Sequence, residues 1–166
     1  LTGVIQARLD SLPGKEKVLL QCASVVGRIF WDAAVAELTT VETEGFDEDE
    51  LTALLDALRR RELVLQREST TFADTEEYIF KHALTQEVAY ESLLKQRRRE
   101  IHGRIARTIE ELYADRLEQH YELLAHHWEL SESPDRSIEY LVLAGEKSFR
   151  NQAAHAAVDF YTRVLN

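Results

Sequence analysis

Histidine is the residue type in this sequence with the widest chemical repertoire, and three of the six histidines, His120, His126 and His127, lie close together. On a helix, His120 and His127 would lie two turns apart on one face, whereas His126 would point about 100° away from His127. Zinc prefers four ligands in proteins, and the single cysteine, Cys22, lies far away in an apolar segment. We therefore predict packing or helix-surface roles for these histidines and no metal site.

Nucleophilic and phosphate chemistry have no matching motif in the sequence. Ser24, Ser92 and the histidines fall within helical patterns, without a GxSxG elbow to expose a nucleophile. A GxxxxGK[ST] loop, which would hold the phosphates of ATP, does not occur either. The sequence predicts no catalytic residue and no cofactor-binding residue, and so no enzyme activity in this chain.

Arginine offers a second kind of chemistry, because guanidinium groups bind carboxylates and phosphates through paired hydrogen bonds. Segment 95–107 contains six Lys and Arg residues against one acid, Glu100, for a net charge of +5. A nucleic acid could lie along it, but we prefer a solvated helix face, or one that docks onto acidic residues of this chain or a partner. His82 lies where a strand pattern meets a helix, and its ring could bond exposed backbone or sense a neighbouring nucleotide domain. We predict an interdomain or partner-contact face formed by Arg59, Arg60, Arg61, His82, Arg97, Arg98 and Arg99.

The charge distribution narrows the classes of partner. Residues 1–94 carry 9 Lys and Arg against 18 Asp and Glu, a net charge of −9, and residues 95–166 carry 11 against 12, a net charge of −1. Such a surface repels phosphates, which argues against nucleic acid and anionic lipid. No run approaches the ~20 apolar residues that cross a bilayer. A single cysteine, Cys22, predicts a reduced compartment, so we expect a cytoplasmic location without membrane contact in this chain.

The elements that must position these residues begin with helices. Helical spacing predicts segments over Ile5–Leu12, Lys15–Val26, Trp31–Leu38 and from Asp47 to Arg61, with Asp47 as N-cap, Gly27 as a stop and a polar connection over residues 39–46. Strand patterns follow at Leu63–Arg67 and Tyr78–Phe80, with a polar tip between them. Three helices followed by a β-hairpin is the order of a winged helix.

Helical spacing then continues to the end of the chain. Ser133 and Pro134 mark a helix start, and small residues such as Gly145 allow close approach of the following helices. This pattern is typical of helical repeats of about 34 residues. We predict a mostly α fold with two domains: a winged helix over 1–94, and a helical linker with the start of tetratricopeptide-like repeats over 95–166. For the repeat surface we select Tyr121, Trp128 and Tyr140, each of which has a core position as its alternative.

Four segments resemble the region that follows the ATPase domain in bacterial STAND-class signalling ATPases, especially those fused to class III adenylate/guanylate cyclases. They are IQARLDSLPGKEKVLLQCASVVGRIF, LLDALRRRELVLQ, FKHALTQEVAYESLLKQRRREIHGRIA and AHHW with SIEYLVLAGEKSF. The resemblance implies a winged helix after the nucleotide-binding domain, then tetratricopeptide-like repeats. It also implies a parent protein that uses ATP and a divalent metal upstream, which agrees with our expectation that a chain without Met is an excised piece.

These expectations combine into one functional hypothesis. The chain would be a non-catalytic regulatory and protein-interaction module of a larger signalling protein, with the upstream ATPase domain as a partner in cis. The helical repeats would take a protein partner or a ligand. The alternative is a fragment of a DNA-binding winged-helix transcription regulator, although the helix that would enter the major groove begins with Asp47, Glu48, Asp49 and Glu50.

Overall fold

Helices form most of the chain, and three short strands form one antiparallel sheet. The computed structural model describes residues 1–42 and 44–166, which divide into two compact units, Leu1–Arg98 and Arg99–Asn166. The elements of the first unit are α1 (Thr2–Asp10), α2 (Gly14–Val26), β1 (Ile29–Trp31), α3 (Asp32–Glu42), α4 (Glu48–Arg60), β2 (Val64–Gln66), β3 (Glu77–Phe80) and α5 (Ala83–Glu91). Helix α6 (Lys95–Leu112) spans the division, and the second unit continues with a 3₁₀ turn (Leu117–His120), α7 (Tyr121–Glu129), α8 (Pro134–Arg150) and α9 (Ala154–Leu165). The predicted domain boundary after residue 94 falls just before α6 begins.

Strand β3 is the centre of the sheet, which has the order β1-β3-β2. Phe30 lies opposite Tyr78 in the β1–β3 pair, and Leu65 lies opposite Ile79 in the β2–β3 pair. Beside this pairing, the Asp32 backbone N–H donates to the Glu76 carbonyl at 3.0 Å. The Asp32 carboxylate also accepts from the Glu76 N–H at 3.0 Å, so the start of α3 is tied to the start of β3.

The core of the first unit lies between the sheet and α2. Phe30 and Phe80 are fully buried, with ring centroids 5.5 Å apart. Leu19 and Leu20 of α2 are 0% and 1% exposed, because this helix has neighbours on more than one side: β1, α3, α4 and α5. Burial of such side chains contributes on the order of 1.5–3 kcal/mol each to stability.

Three predicted signals for the starts and ends of helices, each local in sequence, match the structure. The Asp47 carboxylate accepts the Glu50 N–H at 2.8 Å, which confirms Asp47 as the N-cap of α4. Pro134 occupies the first turn of α8 as predicted. Gly27 follows the last residue of α2 with φ 148°, a conformation that residues with a side chain rarely adopt.

Two predictions about the region between α2 and α4 are wrong. Strand β1 was not expected, and α3 runs from Asp32 to Glu42 rather than from Trp31 to Leu38. Helix therefore occupies part of the predicted polar connection over residues 39–46, of which Thr43 lies outside the described residues. A three-residue strand is too short to show a period, and β1 forms because β3, distant in sequence, supplies its partner.

Consecutive helices of the second unit pack on one another. Glu122 at the start of α7 pairs with Lys147 near the end of α8 at 2.9 Å, whereas Trp128 at the end of α7 lies by Arg136 at the start of α8. Helices α7 and α8 are therefore antiparallel. Helix α9 packs on α8, where the ring of Tyr161 lies against Gly145. No helix among residues 1–42 and 44–166 has the length and apolar character needed to span a membrane.

Candidate functional site

An open groove lies between the last turns of α4 and strand β2. Its volume is about 470 Å³. Its lining side chains come from these two elements: Asp56, Arg59, Arg60, Val64, Leu65 and Gln66. Two of the predicted contact residues, Arg59 and Arg60, therefore share one surface, which we call the α4–β2 groove.

The cations of the α4–β2 groove are unequally paired. Arg59 donates to Asp56 at 3.0 Å, in an exposed ion pair of a kind that contributes little to stability. Arg60 is exposed and has no side-chain partner in the part of the chain that the structure describes. Both arginines lie at the end of α4, where the helix dipole favours a positive charge. Leu65 lies beside them and is 48% exposed. The groove thus offers an unpaired guanidinium next to an apolar side chain.

Arg61, the third member of the predicted arginine cluster, faces a different neighbour. Its Nε donates to the carboxylate of Glu16 at 2.7 Å, and Glu16 is 7% exposed. The Arg61 carbonyl accepts from Arg8 at 3.1 Å, which joins α1 to the end of α4. Arg61 is therefore engaged inside the first unit and does not belong to the α4–β2 groove.

His82 is exposed at the N-cap position of α5. Its carbonyl accepts the Thr85 N–H at 3.0 Å, but its ring makes no capping hydrogen bond. The ring therefore does not form the hydrogen bond to exposed backbone that was one of its two predicted roles.

The arginines at the start of α6 point to separate partners. The Arg98 guanidinium lies over the Tyr90 ring at 4.7 Å, within the first unit. Arg99 donates to Glu132 at 3.2 Å, within the second unit. Arg97 is half-buried. Arg98 and Arg99 thus do not form a single cluster, although all three arginines share the first turns of one helix.

Of the three aromatic residues selected for the repeat surface, two lie in the core. Trp128 and Tyr140 are each 3% exposed, and Tyr121 is half-buried with its ring 6.1 Å from that of Tyr140. Helical spacing alone does not distinguish an exposed aromatic face from a buried one, so the core alternative applies to Trp128 and Tyr140.

Trp128 and Tyr140 surround a charged pair that joins three helices. Glu110 of α6 forms an ion pair with Arg136 of α8 and accepts from the Trp128 Nε1 at 3.1 Å. Arg136 lies 5.3 Å from the ring centres of both Trp128 and Tyr140. Burial, followed by a hydrogen bond to Glu110, raises the pKa of Tyr140, so its hydroxyl stays protonated at neutral pH. This arrangement fixes α6, α7 and α8 together and leaves little free surface for a ligand.

The histidine that lies against His127 is His102, not His120, which helical spacing placed on the same face as His127. His120 is buried against the Tyr113 ring, at 5.5 Å between ring centroids. His127 instead faces His102 of α6, with 2.8 Å between the two Nδ1 atoms. His102 and His127 are 2% and 0% exposed. Each lies three residues from an apolar core residue of its helix, Ile105 and Leu124, and this position in an apolar stripe is the signal that could have identified the pair.

Burial is the main influence on the pKa of His127. It holds the pKa of His127 well below its ordinary 6.5, with smaller contributions from His102 and His126. His126 is adjacent, with its ring centroid 6.0 Å from His102. No group of three or more His, Cys, Asp or Glu residues in the described ranges has the geometry to hold a metal ion. Burial therefore keeps His127 neutral at pH 7.

In the α4–β2 groove, a charge without a partner among the described residues lies beside exposed apolar area. No family model, curated protein or solved structure matches this chain.

Proposed function

We propose that this chain is a non-catalytic regulatory and protein-interaction module of a larger cytoplasmic signalling protein. In this proposal the first unit is a winged-helix domain, and the second unit begins an array of tetratricopeptide-like helical hairpins. The observation that carries the proposal is the α4–β2 groove, in which Arg60 has no partner among the described residues and lies beside the exposed Leu65.

The element order supports the two fold assignments. A helix, a strand, two helices and a hairpin follow one another from α2 to β3, and the hairpin completes a three-stranded sheet of order β1-β3-β2. This order agrees with the assignment of a winged helix. Antiparallel α7 and α8, followed by α9 packed on α8, are what successive repeat helices require.

The charges of the first unit favour a protein partner over DNA. The helix that would enter a major groove, α4, opens with Glu48, Asp49 and Glu50, which repel phosphates. In the α4–β2 groove, by contrast, an Arg fork is ready to bind a carboxylate. A partner that presents one carboxylate and an adjacent apolar side chain would satisfy both Arg60 and Leu65.

The resemblance to STAND-class signalling ATPases supplies the identity of that partner. The upstream ATPase domain, in cis, would dock on the α4–β2 groove and be held in one of its two states. ATP and a divalent metal would bind in that upstream domain, not in this chain. Such a switch works only if the groove binds the two states with different affinity.

Charge reversal at Arg60 tests the docking surface. We expect Arg60→Glu to weaken binding of the purified upstream ATPase domain to the 166-residue chain by about ten- to a hundredfold, since a charge-assisted hydrogen bond is worth roughly 1.5–3 kcal/mol. Arg28→Glu is the matched control, because Arg28 is an exposed arginine of the same unit without a side-chain partner among the described residues, next to the opposite edge strand. Equal affinity of both variants, measured by isothermal titration calorimetry, would show that the groove is not the docking surface.

Activity of the full-length protein tests the regulatory role. ATP hydrolysis and cyclase output are measured for the intact protein, for Arg60→Glu and for a deletion of residues 1–166. We expect Arg60→Glu to shift both activities in the direction of the deletion, while Arg28→Glu leaves them unchanged. Salt-sensitive binding of duplex DNA by the 166-residue chain, with neither activity changed in any variant, would favour the transcription-regulator alternative.

A further inference from the structure

The His102–His127 pair is the buried polar contact of the second unit that the proposed function does not use. One histidine comes from α6 and the other from α7, and their Nδ1 atoms lie 2.8 Å apart. Both side chains are excluded from water, at 2% and 0% exposure. A hydrogen bond of this length requires a proton on one Nδ1 and a lone pair on the other.

The surroundings decide which ring donates. His127 Nε2 is buried and has no hydrogen-bond partner among the described residues. An orphaned buried N–H is rarer in proteins than an acceptor without a donor, so the proton of His127 belongs on Nδ1. His127 therefore donates to His102 Nδ1, and burial keeps the His127 ring neutral at pH 7.

Protonation of His127 has no favourable site in this arrangement. The remaining position, Nε2, would become a charged donor without a partner. The titratable neighbours that act on His127 are His102 of α6 and His126 of α7, and neither supplies negative charge. Glu129 of α7 and Arg163 of α9 act on His126. Arg136 and Lys147 of α8 are paired with Glu110 and Glu122.

We propose that the His102–His127 pair is an acid-sensitive latch. It holds α6 against α7 at neutral pH, and the second unit unfolds more readily as the pH falls. The latch is independent of the α4–β2 groove, which lies in the first unit, so either inference can fail without the other.

The sign and size of the effect follow from proton linkage. In the unfolded chain His127 takes up a proton near its ordinary pKa of 6.5, whereas the folded unit resists protonation until a far lower pH. The contribution of neutral His127 to the stability of the second unit is therefore fully present above about pH 7 and decreases below pH 6.5. From pH 7 to pH 5, His127 alone raises the unfolding equilibrium constant about 25-fold.

The test compares unfolding of the 166-residue chain at pH 7 and pH 5 for the wild type and His127→Asn. Asparagine keeps a donor near the position of Nδ1 but does not titrate. We therefore expect the change in the unfolding equilibrium constant of the second unit between pH 7 and pH 5 to be about 25-fold smaller than in the wild type. His155→Gln is the control, because His155 is exposed and its substitution should leave the wild-type pH dependence intact. A His127→Asn chain that keeps the full pH dependence would overturn the latch.

A second measurement uses the wild-type protein and does not depend on the variant folding. Nitrogen chemical shifts from NMR report the tautomer and protonation of each imidazole. We expect His127 in the native state to stay neutral, with its proton on Nδ1, down to the pH at which the Trp128 indole signal of the second unit is lost. Titration of native His127 near pH 6.5, or a proton on Nε2 instead, would contradict the inference.

Discussion

Replacement of Gly145 by alanine gives the sharpest stability test of how α8 packs on α9. A Cβ atom at this position would lie 2.7 Å from Cε1 and 2.9 Å from Cζ of Tyr161, closer than real Cβ atoms approach carbon. The Tyr161 ring, 38% exposed, would have to leave its place on α8. Overpacking of this kind costs about 1–3 kcal/mol.

Helix propensity acts in the opposite direction. Gly145 lies in the interior of α8, where alanine is favoured over glycine by about 1 kcal/mol. The two contributions together predict that Gly145→Ala lowers the free energy of unfolding of the second unit by about 0–2 kcal/mol. In a Tyr161→Ala background the ring is absent, so the same substitution should raise that free energy by about 1 kcal/mol.

The assay is urea unfolding followed by NMR through the indole signal of Trp128, which lies in the second unit and is 3% exposed. Gly103→Ala in α6 is the matched control, because its Cβ would meet its nearest neighbour, Ser131, at an ordinary 3.6 Å. We expect Gly103→Ala to be stabilising. If Gly145→Ala has the same effect with and without the Tyr161 ring, the close approach of α8 and α9 is refuted.

Two further substitutions test the first unit, each by urea unfolding followed through the Trp31 indole signal. Asp47→Ala removes the N-cap of α4 and should cost about 1 kcal/mol, whereas Asp47→Asn should restore most of it; no loss with alanine would contradict the capping role. Glu77 is 2% exposed and accepts from Arg67 at 2.7 Å and from the Thr71 hydroxyl at 2.9 Å. Glu77→Ala should therefore cost about 1–3 kcal/mol, because it removes hydrogen bonds to a charged group while Arg67 and Thr71 keep access to water. A cost under about 0.5 kcal/mol would refute the stabilising role of Glu77.

Local patterns in the sequence predict the elements whose signals lie within a few residues. Asp47 as N-cap, Pro134 in the first turn of α8 and the hairpin of β2 and β3 are examples. Each depends on a side chain or a period that acts at short range.

Contacts between residues that are far apart in the chain cannot be predicted from such local patterns. Strand β1 exists through its pairing with β3, and the His102–His127 contact joins two helices. The pairing of Arg61 with Glu16 likewise depends on how α2 and α4 meet. Arg61 is consecutive with Arg59 and Arg60 in the sequence, but it is the C-cap residue that follows α4, and its side chain turns towards Glu16 of α2.

The central position of β3 in the sheet sets an order for folding. Within the described residues strand β1 pairs with β3 alone, and the Asp32 carboxylate accepts a hydrogen bond from the Glu76 N–H. On a ribosome the chain must therefore extend past residue 80 before β1 can pair, whereas each helical hairpin of the second unit closes over a short loop. Non-local pairing of this kind is slow compared with local helix packing. The first unit to be synthesised is thus the slower to mature, and in a nascent chain residues Ile29–Trp31 have no strand partner until β3 emerges.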